Sequence, residues 1–404
     1  MSGNALQLGG RSARFALLAV VCCWAGVFLA AWLHVDGYQW DFRTYYYASH
    51  AFEQGLNPYT IDSLMQASDG HAGPLRFVYP LSALYVFKPL ARLDYATAAR
   101  IWLLLKAAAL IGLFAIWRRY FLPSSNGLWI ALVGMLAFQA TMLWDIKAGN
   151  VSTFEQLFLW AGLAFLLHSR PRAFAACVVV ASLFKLTLSA FLLLLLVKPL
   201  RSRGTVATMA TAFVTLGVIA AVPFATHRDY LQSFVAAVGV QPAWLSSNVS
   251  FQGIATELIR QHAGFSVFGK LSSLLLAAVP AGLSLLVGRR LLAKAYAGSP
   301  LILTIMIACF AYALVVPRMM IYSYSIVIAP LLGLVLPCVG RMRIGVYAFA
   351  ALVCIGGLQV LPSDAGTILD SVQPLVLLLL CWGVLIGAEK SGALDQALLE
   401  SSHP

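Results

Sequence analysis

The sequence predicts an all-α polytopic membrane protein, and three observations predict it. The first is composition: 61% of the 404 residues are hydrophobic, 10% are charged, and the mean hydropathy is +0.85. Soluble domains carry about a quarter charged residues, so this chain lacks the polar groups to cover a water-exposed surface. The second is the recurrence of apolar stretches of spanning length. The third is the spacing of Lys and Arg in small clusters between those stretches.

The elements follow in order. Apolar runs at 15–35, 96–117, 128–144, 151–168, 206–224, 266–288, 301–316, 323–339, 344–361 and 374–388 read as spanning helices. The first follows Arg11 and Arg14 and reads as a retained span, since it lacks a small-residue cleavage site. Between Arg172 and Lys198 the apolar stretch is too short for two full spans, yet both flanks are basic. It reads as a hairpin of two short helices turning near Lys185 and Thr187. The run 77–93, broken by Pro80 and Pro89 and carrying Lys88, reads as an amphipathic or re-entrant segment that does not cross.

That choice puts the dense basic clusters on one side, holding 15 of the 27 Lys and Arg, as the positive-inside rule requires. About twelve crossings result, in a single transmembrane domain over 1–404 with both termini cytoplasmic. Two long outer loops, 36–95 and 225–265, hold the polar chemistry. Only Glu389, Asp395 and Glu400 of the 15 acids fall inside. The net charge of +12 is topogenic in this arrangement: no basic patch suits nucleic acid, and membrane lipids are the implied partners. All seven cysteines lie within apolar runs and read as packing residues. No dinucleotide fingerprint, P-loop, zinc-protease helix or nucleophile elbow is present, and no His and acid ligands pair at helical spacing, so no metal or cofactor is called for.

Candidate chemistry lies in the outer segments. The first loop begins Trp40-Asp41-Phe42-Arg43-Thr44-Tyr45-Tyr46 and continues to Gly55-Leu56-Asn57-Pro58-Tyr59. A carboxylate at the membrane interface is a plausible general base. Asp41 could equally pair with Arg43 or cap the following helix, with the tyrosines forming an interfacial belt. The connection Asp145-Ile146-Lys147-Ala148-Gly149-Asn150 offers a cation for phosphate and an amide for a sugar, or an ordinary turn and helix cap. Lys185 sits among apolar residues, where an ammonium is costly unless it meets water, a carboxylate or a phosphate; snorkelling is the alternative. The second loop contributes Asn248 and Arg260, and the Pro317-Arg318 turn brings Arg318 and Tyr322. An arginine there suits a lipid phosphate or serves as an interfacial anchor.

These residues resemble the polyprenol-phosphate-sugar-dependent glycosyltransferases of the GT-C type, specifically the GT87 family, which includes bacterial mannosyltransferases. The resemblance covers roughly 40–336. It rests on Asp41-Phe42-x-x-Tyr45-Tyr46 to Asn57-Pro58-Tyr59, Tyr79-Pro80-Leu81 leading to Pro89, the Asn248-Val-Ser250 stretch and Pro317-Arg318. The chain departs from the family pattern at Pro80-Leu81 (Pro-Pro), Gly149-Asn150-Val151-Ser152 (Gly-Gln-x-Asn) and Lys185-Leu186-Thr187-Leu188 (Lys-x-x-Pro).

What the resemblance implies is a GT-C-like bundle in a bacterial inner membrane with a periplasmic active site. It implies an inverting transfer of mannose or a similar sugar from a polyprenyl-phosphate sugar donor to a lipid or glycan acceptor, with Asp41 as base. Lys185 and Arg318, with Lys147 and Arg260 behind them, would hold the donor phosphate. Tyr45, Tyr46, Asn57, Tyr79, Asn150, Asn248 and Tyr322 would meet sugar or acceptor. The competing classes are a lipid or sugar flippase, which would show internal symmetry and helices broken at the midplane, and an O-antigen polymerase or ligase.

Overall fold

The computed structural model describes residues 10–73, 75–123, 125–197, 200–239, 249–250, 253, 282, 301–341, 349 and 363–392. Every regular element among them is helical. In chain order these are α1 (Gly10–Leu33), α2 (Trp40–Glu53), α3 (Ile61–Ala67), α4 (Leu81–Ala91), α5 (Tyr95–Ile116), α6 (Gly127–Ala148), α7 (Ser152–Leu167), α8 (Pro171–Ser182), α9 (Arg203–Thr226), α10 (Arg228–Gly239), α11 (Leu301–Val315) and α12 (Ser363–Ser391). A 3₁₀ segment, Leu186–Leu196, follows α8. A helical run of mixed pitch begins at Ile321 and ends at Arg341.

Six of these segments are long and apolar enough to cross a membrane: Phe15–Leu33, Tyr95–Phe121, Gly127–Ala148, Arg203–Thr226, Ile321–Gly340 and Gln373–Ser391. Each answers a run expected from the sequence. Helices α7 and α11 are shorter than expected, at 16 and 15 residues. They reach only about 24 Å, against a hydrocarbon core of about 30 Å. The runs at 266–288 and 344–361 lie outside the described residues, so the structure supports a polytopic helical protein without fixing twelve crossings.

The chain divides into two compact units. One comprises the described residues of Met1–Ala30, Trp117–Trp144 and Trp244–Pro404; the other is Ala31–Ile116 with Asp145–Ala243. In the first unit the Ile321–Gly340 run is mostly buried, and Tyr324 stacks on Phe138 at 5.5 Å and donates to the Val249 carbonyl at 2.8 Å. Within α6, Ala137–Ala140 leaves helical geometry, with Phe138, Gln139 and Ala140 at positive φ. All four are buried, which is where non-helical backbone is tolerated at membrane depth.

The second unit is built from α2, α3, α4, α5, α7, α8, α9 and α10. Local signals explain its boundaries. Asp94 Oδ1 accepts the Thr97 N–H at 3.0 Å at the start of α5, Thr60 caps α3, Pro171 opens α8, and Ser202 and Thr205 cap α9 reciprocally. Within the 77–93 segment, expected not to cross, helix α4 has 11 residues, about 16 Å. The expected hairpin at 172–198 is α8 and the 3₁₀ segment, with Lys185 at the break between them. On α5 the large apolar residues Leu104, Leu105 and Ile111 face outward, while Trp102, Leu103, Lys106, Leu110 and Leu113 are buried. The helical period therefore turns a lysine toward packed protein and leucines toward lipid.

Candidate active site

The site grows from the turn between α6 and α7. Gly149 adopts φ +71, and an added Cβ would stand 2.5 Å from Gln39 Oε1 and 2.9 Å from Phe42 Cβ. Only glycine allows this turn to seat against the start of α2. The seat is sealed by backbone and side-chain bonds: Gln39 N donates to the Lys147 carbonyl at 2.7 Å, and Gln39 Nε2 donates to the Ile146 carbonyl at 2.6 Å. Trp102 Nε1 donates to the Gly149 carbonyl at 2.8 Å, and the Trp102 ring stacks on Phe42 at 5.3 Å. The helix carrying Asp41 is thus tied to the turn carrying Asn150.

Asn150 links the parts. Its Nδ2 donates to Asp41 Oδ2 at 2.7 Å and to Tyr45 Oη at 2.9 Å. Its Oδ1 accepts from Ser152 N at 3.0 Å and from Ser152 Oγ at 2.9 Å. Because a backbone N–H can only donate, the amide oxygen must face Ser152 and the NH₂ must face Asp41. The hydroxyls of Tyr45 and Tyr79 lie 3.1 Å apart, and their rings meet edge to face at 5.3 Å. Burial raises the Tyr79 hydroxyl's pKa, and the negative charges of Glu155 and Asp41 raise it further, so Tyr79 is a neutral hydroxyl in the site. Asp41 is half-buried in the first turn of α2, where the unpaired N–H groups of a helix favour negative charge.

Beneath this layer lies a buried ion pair. Lys106 Nζ donates to Asp145 Oδ2 at 2.6 Å and also to the Asn150 carbonyl, and Thr153 Oγ1 donates to the same Asp145 oxygen. Lys106 is 0% exposed and Asp145 2%. Glu155, also buried, bonds Ser152 and is under the electrostatic influence of Lys185.

The structure therefore brings together Asp41, Tyr45, Tyr79 and Asn150, with Lys185 nearby through Glu155. It places other candidates elsewhere. Tyr46 donates to the Leu93 carbonyl at 2.5 Å; its hydroxyl is pushed up to about 12, mostly by burial, with Tyr47 and Asp94 adding to it. Asn57 donates to Ser233 Oγ at 2.7 Å and accepts the Tyr59 N–H, joining the segment after α2 to α10. The Lys147 ammonium lies over the rings of Tyr38 and Trp40. Arg43, a conceivable partner of Asp41, turns to the Asp36 carbonyl and the Tyr95 hydroxyl. Arg318 and Tyr322 belong to the other unit, and Asn248 and Arg260 lie outside the described residues. Among the described residues no three His, Cys, Asp or Glu side chains are grouped to hold a metal ion.

The sequence profile of glycosyltransferase family 87 matches residues 77–317, more than half of the chain. The chain belongs to this family. This family 87 protein is a membrane glycosyltransferase. No curated protein matches it. The matched region holds Tyr79, Lys106, Asp145, Asn150, Glu155 and Lys185, whereas Asp41 and Tyr45 precede it. The residues of this glycosyltransferase that sequence reasoning passed over are Gln39, Lys106, Thr153 and Glu155, with Asp145 noted only as part of a turn. Lys106 and Glu155 carried a readable signal: each interrupts an otherwise apolar run, where a charged side chain needs a partner.

Proposed function

We propose that this enzyme moves a sugar from a polyprenyl-phosphate donor to a lipid or glycan hydroxyl at the outer face of the bacterial inner membrane, with inversion at the anomeric carbon. The acceptor oxygen attacks the anomeric carbon and forms the new glycosidic bond. The bond to the phosphate oxygen breaks, its electron pair leaves on the polyprenyl phosphate, and the acceptor proton passes to the Asp41 carboxylate. The observation that carries this reading is the Asn150 amide fixing Asp41 Oδ2 at 2.7 Å beside the Tyr45 and Tyr79 hydroxyls. A carboxylate so placed is held in one orientation and is not fully buried.

A lipid phosphate departs as a stable anion and needs positive charge more than a proton donor. Lys185, at the break between α8 and the 3₁₀ segment, is assigned that role. One carboxylate then suffices, unlike the acid pairs of glycoside hydrolysis.

The test is sugar transfer by the purified protein from polyprenyl-phosphate mannose and from other polyprenyl-phosphate sugars. Asp41→Asn is expected to lose about 10²–10⁴-fold in rate while staying monodisperse. Wild-type transfer by that variant removes Asp41 from the mechanism.

A further inference from the structure

All four polar backbone and side-chain positions of Asn150 are engaged. Its N–H donates to the Asp145 carbonyl at 3.2 Å, its carbonyl accepts from Lys106, its Oδ1 accepts from Ser152, and its Nδ2 serves Asp41 and Tyr45. The restraint on the Asn150 carbonyl comes from Lys106 of the buried pair, whose ammonium is held in turn by the Asp145 carboxylate; the Asn150 N–H bond is to the Asp145 main-chain carbonyl. A pair kept for stability alone would satisfy its remaining lone pairs, because two desolvated charges otherwise cost more than they return. Here Asp145 Oδ1 is buried with no hydrogen-bond partner among the described residues. What the pair secures is the position of the amide that holds Asp41.

We propose that Lys106 and Asp145 are positioning residues for the transfer reaction: the Asp145 carboxylate holds the Lys106 ammonium on the Asn150 carbonyl, and through the Asn150 amide the pair aims the Asp41 carboxylate. The proposal rests on the reading of Asp41 as the base. The chain of contacts runs Lys106 Nζ to Asn150 carbonyl, then Asn150 Nδ2 to Asp41 Oδ2, and neither charged partner touches substrate. Loosening the lock lets Asp41 drift while the donor and acceptor sites stay intact, so kcat falls and KM does not.

Lys106→Met alone strands a buried carboxylate and invites misfolding. The informative variant is Lys106→Met with Asp145→Leu, which removes both charges and leaves Asn150 without its lysine. Expected is a monodisperse protein whose kcat per folded molecule drops about 10–100-fold, by analogy with loss of supporting shells around metal ligands, with donor KM within about twofold of wild type. Asp145→Asn keeps an acceptor for Lys106 and is expected to retain kcat within about fivefold. A folded double variant with wild-type kcat, or one whose loss lies in KM, overturns the proposal. So does an Asp145→Asn protein that folds yet is as inactive as Asp41→Asn. If Asp41→Asn itself transfers normally, the base assignment fails first, and that result is distinct from an inactive Asp41→Asn beside a fully active double variant.

Discussion

Replacing Gly149 by alanine puts a methyl group into the joint between α2 and the α6–α7 turn. The left-handed backbone at φ +71 costs an L-residue about 1–2 kcal/mol. The new Cβ would also stand 2.5 Å from Gln39 Oε1, so the Gln39 carboxamide must move and its 2.6 Å bond to the Ile146 carbonyl is lost. Losing that buried bond adds about 1–3 kcal/mol, for a total of about 3 kcal/mol. Gly55→Ala is the matched control: its φ is +74, but nothing lies within 4 Å of the added Cβ, so only the backbone cost applies. At about 2–4 °C per kcal/mol the two variants should differ by several degrees in a detergent thermal-shift assay. Gly149→Asn separates the contributions further, since asparagine accepts the left-handed backbone but still brings the colliding Cβ. Because Gln39 precedes Asp41 by two residues, Gly149→Ala should also cost about 10²-fold in transfer, the scale of a 1 Å misplacement. Equal melting of Gly149→Ala and Gly55→Ala, with normal transfer, would refute the claim that this joint sets the site.

Three further outcomes are expected. The Thr97 N–H holds the Asp94 carboxyl below its ordinary value of 3.8, so its cap stabilises the protein above about pH 4 and is lost as pH falls through the lowered value. Between about pH 5 and pH 3 the wild-type melting temperature should therefore drop more than that of Asp94→Asn. Asn57→Ala removes the bond to Ser233 and should lower stability by about 1 kcal/mol; limited proteolysis within α10 should accelerate, and unchanged cleavage would dismiss Asn57 as a tie between the loops. A cysteine at the exposed Gln66 of α3 should react with a membrane-impermeant thiol reagent from outside the inner membrane, and labelling only from the cytoplasm would invert the topology.

Hydropathy and charge spacing were enough to read most helix positions, including the short segment that is α4 and the short pair around Lys185. Composition and length sufficed because lipid demands long apolar helices and little else. The site was legible in part: Asp41, Tyr45, Tyr79 and Asn150 are polar residues outside apolar runs, where function concentrates. The turn geometry was not legible, because nothing local to Gly149 tells which distant element, here Gln39 and Phe42, fills the space a side chain would need. Lys106 lay hidden for a different reason. Its run is apolar enough to read as a plain span; the charge itself signals a need for a partner, and the α5 period, which buries Trp102, Leu103, Lys106 and Leu110 together, shows that its ammonium faces protein.

The proposed role of Asp41 agrees with how its neighbouring acids are held. Asp41, Asp145 and Glu155 lie near one another in the second unit, but a general base must come within hydrogen-bond reach of the proton it takes. Asp145 is 2% exposed, and its Oδ2 is occupied by Lys106 and Thr153. Glu155 is buried beside Ser152 and within the field of Lys185. Asp41 alone of the three is half-buried, and the group that steadies its Oδ2 is the neutral amide of Asn150. The buried Asp145 thus meets a cation and braces the turn, Glu155 lies within the field of Lys185, and the proposed base is the acid met by an amide at the start of α2.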